Sequence, residues 1–139
     1  MLFLEIRDRA LLKYDYGKLL GKTKHFKKAS RLFEVLVKTD SLNSNYHYEL
    51  GVNLSAIDQE KEAQEHFEKA FFIDPTHQKA IYKLARFRLK KGQHEEVLHF
   101  VNIGLKTYPS NVLLISLKAQ SYYNRMYYDK AIVAVRSAY

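Results

Sequence analysis

Three tyrosines, Tyr14, Tyr48 and Tyr82, stand at intervals of 34 residues, and Lys18, Lys22, Lys79, Lys83, Arg86 and Lys90 lie beside them. A tyrosine ring brings a large rigid contact surface and a hydroxyl at small entropic cost. Lysine and arginine bring charge for a carboxylate or a phosphate. This is chemistry for recognition.

Patterns that would support catalysis fail on spacing. Gly17, Gly21, Lys22 and Thr23 imitate a phosphate-binding loop, but that loop needs four residues between its glycines and a strand before them. Here three residues intervene, in a stretch of helical period. The six histidines, His25, His47, His66, His77, His94 and His99, contain no i, i+4 pair for a metal on one helix face. His47 falls on an apolar stripe, where a histidine is more often hydrogen-bonded into a core. No serine or acidic pair sits with a base and an orienting group. Neither catalysis nor a metal or organic cofactor is expected.

The tyrosines belong to a longer register. Units of 34 give frames 10–43, 44–77, 78–111 and 112–139, one domain over 1–139, with residues 1–9 as an N-terminal cap or the remnant of an earlier unit. Position 8 is then Gly17, Gly51, Ala85 and Ala119, and position 20 is Ala29, Ala63, Val97 and Ala131. Position 24 is Phe33, Phe67, Val101 and Val135, and position 27 is Leu36, Ala70, Gly104 and Ala138. A fixed period of this length marks a repeat architecture.

Within the second unit the apolar residues keep a 3.6-residue period twice, through His47, Leu50, Gly51 and Leu54 and then through Ala63, Phe67, Ala70 and Phe71. Each unit therefore predicts two antiparallel helices. The spans are 10–22, 26–39, 44–56, 60–73, 78–90, 94–107, 112–124 and 128–139. Gly51 and Ala63 let paired helices approach, Ala70 admits the next unit's first helix, and Phe67 fills the space between. Asp58 is expected to cap the helix that follows it, and Thr76 the helix after Pro75, with Pro109 and Ser110 repeating that stop and start. Gly92 suits a left-handed turn.

The chain has 23 basic and 15 acidic residues, a net charge of +8, which favours acidic partners. It has no cysteine, hence no disulfide or thiolate, in keeping with a reducing, cytoplasmic compartment. No apolar run approaches the roughly 18 residues of a spanning helix. The opening MLFLEIRDRA lacks the basic leader, long apolar stretch and cleavage site of a secretion signal. No membrane insertion is expected.

The register resembles the tetratricopeptide repeat, a helix-turn-helix unit that opens Trp-x2-Leu-Gly-x2-Tyr and continues with Ala, an aromatic residue and Pro. Leu50, Gly51, Ala63, Phe67, Pro75 and Pro109 carry the likeness, while Lys13, His47, Ile81 and Ile115 stand where the family has Trp. The resemblance implies an all-α, right-handed α-solenoid of antiparallel helix pairs, about four units and eight helices, whose first helices line a concave groove. It implies ligand-facing positions 2, 5, 9, 12 and 13, with 6 close by. These hold Tyr14, Lys18 and Lys22, then Asn45, Tyr48 and Glu49, then Lys79, Tyr82, Lys83, Arg86 and Lys90, then Ser116, Gln120, Tyr123 and Asn124. A subgroup that clamps the acidic tail of heat-shock chaperones needs Lys and Asn where this chain has Tyr14, Lys18 and Glu49, so that partner is not expected.

The function implied is a scaffold that binds a peptide or partner surface, acidic in character, in a basic groove floored with tyrosine. One alternative is a nucleic-acid or phosphate binder using Lys22, Lys24, Lys27, Lys28 and Arg31, the less favoured partner class. Another is a structural section of a longer array. Ile132, Val135 and Ala138 form an apolar edge through which the chain either continues or self-associates.

Overall fold

The computed structural model describes residues 2–139. Its helices are α1 (Leu2–Lys22), α2 (Phe26–Thr39), α3 (Ser44–Ala56), α4 (Glu60–Ile73), α5 (Gln78–Lys90), α6 (His94–Thr107), α7 (Val112–Asn124) and α8 (Tyr128–Arg136). No strand occurs among the described residues. Helices α2 to α7 fill their predicted spans. The first begins at Leu2 and not at residue 10, because no proline or glycine interrupts the chain before Gly17. The last ends at Arg136 and not at residue 139; there the Ser137 hydroxyl donates to the Ala134 carbonyl and competes with the helical ladder.

The turns correct the capping expectations. Asp58 does not cap α4; its φ is +62°, in the left-handed region. It closes α3, with its N–H on the Ser55 carbonyl and the Gln59 N–H reaching back to Leu54. The same double closure ends α1 through Lys24 and His25, α5 through Gly92 and Gln93, and α7 through Met126 and Tyr127. All four left-handed residues occupy position 15 of a unit, and only Gly92 is a glycine. The caps of α3, α5 and α7 are Asn43, His77 and Asn111, whose side chains accept from the N–H groups of Tyr46, Ala80 and Leu114. Thr76 instead donates its hydroxyl to Asp74, and Asn111, not Ser110, caps α7.

The chain divides into two compact units, Met1–Ile73 and Asp74–Tyr139. In the first, α1 packs on α2, α2 on α3 and α3 on α4, and the first helices α1 and α3 also touch. The second repeats this with α5 to α8, and α5 touches α7. The repeat register has a steric cause. A Cβ on Gly17 would lie 2.7 Å from Phe33, and one on Gly51 would lie 2.7 Å from Phe67. Position 8 is therefore glycine wherever position 24 is phenylalanine. Where position 24 is Val101 or Val135, position 8 is Ala85 or Ala119, so one helix gains a methyl as the other loses a ring.

Candidate functional site

In the first unit, the early turns of α1 meet the α2–α3 turn around an open cavity of about 770 Å³. Phe3, Ile6, Leu11 and Tyr14 form its apolar wall, Asn43, Asn45 and Tyr46 face them, and Arg7, Asp8 and Asp40 stand at its rim. Tyr14 and Asn45 were legible in the sequence; Phe3 and Ile6 were missed because residues 1–9 were set apart as a cap, and Leu11 was passed over within the first repeat. Their signal was the spacing of Phe3, Ile6, Ala10 and Tyr14, which shares one helix face once α1 starts at Leu2.

The Tyr14 ring lies edge-on to Phe33, centroids 6.0 Å apart, and tilted on Tyr46 at 5.6 Å. Lys18 Nζ stands 5.2 Å over its centroid, a cation–π contact. The Tyr48 ring leans on Phe67 at 5.8 Å. Burial, then the Glu49 carboxylate, push both the Tyr14 and the Tyr48 hydroxyl up to about 12. Both phenols are therefore neutral hydroxyl donors across the physiological range, with Glu49 close to each. Each ring serves its own helix pair by packing on the phenylalanine of position 24, and each keeps part of its surface exposed.

In the second unit the first helix, α5, carries Lys79, Lys83, Arg86, Arg88 and Lys90 and no acidic residue. Lys79, Arg86 and Lys90 are exposed, while Tyr82 and Lys83 are half-buried. Arg88 turns to Glu96 of α6, its Nε 2.9 Å from the carboxylate. On α7, Gln120 is exposed, and Tyr123 turns toward α8, its ring 5.5 Å from that of Tyr128.

His47 is buried and hydrogen-bonded on both sides. Its Nε2 donates to the Ser41 carbonyl at 2.8 Å, so in the neutral ring Nδ1 accepts, and His66 donates its Nδ1–H across 3.0 Å. The rings stack at 5.3 Å. Burial, then Lys69 and His47, hold the His66 pKa down to about 4. No group of three or more metal-capable side chains occurs among the described residues. Lys22, Lys24, Lys27, Lys28 and Arg31 are all exposed around the α1–α2 turn. No described helix is long and apolar enough to cross a membrane.

No curated protein sequence matches the chain. Solved structures do. A crystal structure of MamA superposes with a TM-score of 0.83 at 18% identity, over 93% of this chain and 75% of that one. A second, titled MamA 41-end from Desulfovibrio magneticus RS-1, superposes with a TM-score of 0.80 at 20% identity, over 94% and 74%. Identities this low speak for the fold, an α-solenoid of helix pairs. Residues 58–121 match the tetratricopeptide-repeat model, and the same pairs continue in register on both sides of that stretch. Over that stretch the chain is similar to the tetratricopeptide repeat.

Proposed function

We propose that this chain is a protein-interaction scaffold that takes a segment of its partner on the faces of its first helices. The observation that carries this reading is the cavity beside α1: an apolar wall of Phe3, Ile6, Leu11 and Tyr14 opposite the amides of Asn43 and Asn45. Concave apolar surface with a few polar groups is how such sites hold an apolar anchor and orient it. The acid-free helix α5 supports a partner that also carries carboxylates, which Lys79, Lys83, Arg86 and Lys90 would meet. Glu49, close to both Tyr14 and Tyr48, disfavours a carboxylate at that point of the first unit.

A random peptide library selected on the immobilised chain tests this. Enriched segments should carry an aromatic or aliphatic anchor for the first unit, or Asp and Glu for α5 of the second. Phe3 is exposed, so Phe3→Asp should leave the melting temperature unchanged and weaken binding by about 2 kcal/mol, more than tenfold. Tyr48→Ala should weaken binding more than Lys90→Ala, whose loss should mainly slow association and reduce its salt dependence. Peptides bound equally well by parent, Phe3→Asp and Tyr48→Ala would sink the reading. The basic cluster at the α1–α2 turn supports a second reading, a polyanion ligand. Affinity for nucleic acid that falls steeply and linearly with log salt would favour it over the first.

A further inference from the structure

Three apolar residues break the repeat register at positions that otherwise face water. Position 29 is Lys38, Phe72 and Lys106, position 30 is Thr39, Ile73 and Thr107, and position 33 is Leu42, Thr76 and Ser110. The lysines, threonines and serine at these positions are all exposed. Phe72 is 87% exposed and Leu42 77%, so neither serves the core between paired helices. Yet the three converge. The last turn of α4 brings Phe72 and Ile73, and the α2–α3 turn brings Leu42. With Val37 and Phe71 they wall an open cavity of about 820 Å³. His47 is buried beneath it with both ring nitrogens occupied, Nε2 by the Ser41 carbonyl and Nδ1 by His66, so the ring offers a ligand no free nitrogen.

The mouth of the cavity carries Glu65 and Glu68, with Lys69 beside them. These belong to α4, where Glu60, Glu62, Glu65 and Glu68 stand against Lys61 and Lys69. No other described helix has more than one acid in excess, in a chain whose net charge is +8. We infer that this cavity is a second docking site, which takes an aromatic or aliphatic side chain of a partner segment with arginine or lysine next to it. The wall suits the anchor, because docking removes Phe72 and Leu42 from water along with it. The acidic face of α4 suits the flanking cation. That charge is opposite to the one α5 favours, so a segment fit for one site is disfavoured at the other. The cavity shares no lining residue with the one beside α1, so the proposal stands independently of the first-helix reading.

A random peptide library, depleted on immobilised Phe72→Lys and then selected on the parent chain, tests this. Phe72→Lys and Leu42→Ser install the residues of neighbouring repeats at exposed positions, so neither should change the melting temperature. Leu42→Ser serves for the depletion if Phe72→Lys loses helix content. Enriched peptides should carry an aromatic or aliphatic residue beside Arg or Lys. In fluorescence anisotropy with a labelled copy of an enriched peptide, each of the two variants should weaken binding at least about tenfold. Glu65→Lys should weaken it and reduce its salt dependence, and Phe3→Asp should leave it unchanged. Depletion that leaves no binder, enriched peptides that are acidic or uncharged, or equal affinity for parent and both variants would overturn the proposal. An equal loss in Phe3→Asp would place the peptide beside α1 and overturn it too. So would sedimentation in which the parent self-associates and Phe72→Lys does not, since a second copy would then be the occupant.

Discussion

Gly51→Ala puts the steric logic of the repeat under direct test. The new Cβ would lie 2.7 and 2.9 Å from Phe67 Cε1 and Cδ1, and 3.0 Å from the Ala63 carbonyl oxygen. The ring is buried and has little room to retreat, and the carbonyl moves only if α4 moves. An alanine in place of glycine inside a helix ordinarily gains about 1 kcal/mol. Overpacking a filled core costs about 1–3 kcal/mol. Contacts from both a ring and the backbone place this site at the upper end, for a net loss of about 1–2 kcal/mol. Phe67→Val alone should leave a void and cost about 2–4 kcal/mol. The double variant recreates the Ala85 and Val101 combination of the third repeat, the alanine methyl entering the space the ring left. Its loss should fall short of the sum of the single losses by about 1–3 kcal/mol. Urea unfolding followed by far-ultraviolet circular dichroism gives all three values. Gly51→Ala as stable as the parent, or losses that simply add, would refute the pairing of position 8 with position 24.

The left-handed turns predict a contrast between two substitutions. Gly92 has φ +69° and open space where a Cβ would go, so Gly92→Ala should cost about 1 kcal/mol from backbone conformation alone. Met126, with φ +62° and 74% exposed, should gain stability by up to about 1 kcal/mol as Met126→Gly; equal melting temperatures for parent and both variants would contradict this. The histidine pair predicts a pH dependence. His66 has a folded pKa of about 4, below its unfolded value of about 6.5. The unfolded chain therefore binds the proton more readily, and stability falls as pH drops from about 6.5 to about 4. Burial of the ring sets this first, Lys69 on its own helix and His47 from α3 lower it further, and Glu65 opposes them. After allowance for its partial exposure, the loss is on the order of 2 kcal/mol. His77, lowered in the same direction by its own burial, adds to it. Denaturant unfolding at pH 7.5 and 4.5 should show a smaller difference for His66→Gln than for the parent, and an unchanged difference would remove His66 from the account.

The spacing alone determined the helix pairs because its causes are local in the fold. Gly17 and Phe33, or Gly51 and Phe67, face each other across one turn at a fixed separation, so the contact repeats in the sequence as it repeats in space. The 34-residue register of Tyr14, Tyr48 and Tyr82 was legible for the same reason. What those rings touch was not, since Tyr14 settles against both Phe33 and Tyr46 only after α1, α2 and α3 have packed. Composition also misplaced the caps: Asp58 has the chemistry of an N-cap, but the chain reverses at that residue, and the geometry of reversal requires a left-handed backbone there. Asn43, His77 and Asn111 held position 34 in plain view, yet whether a side chain reaches back to a backbone N–H depends on its own φ and ψ. Tertiary structure alone joined His47 to His66, 19 residues away on another helix, and tertiary structure alone left Leu12 and Val135 open where their equivalents are closed. A side chain's periodic position says which face of a helix it occupies; only the neighbouring helices decide whether that face is covered.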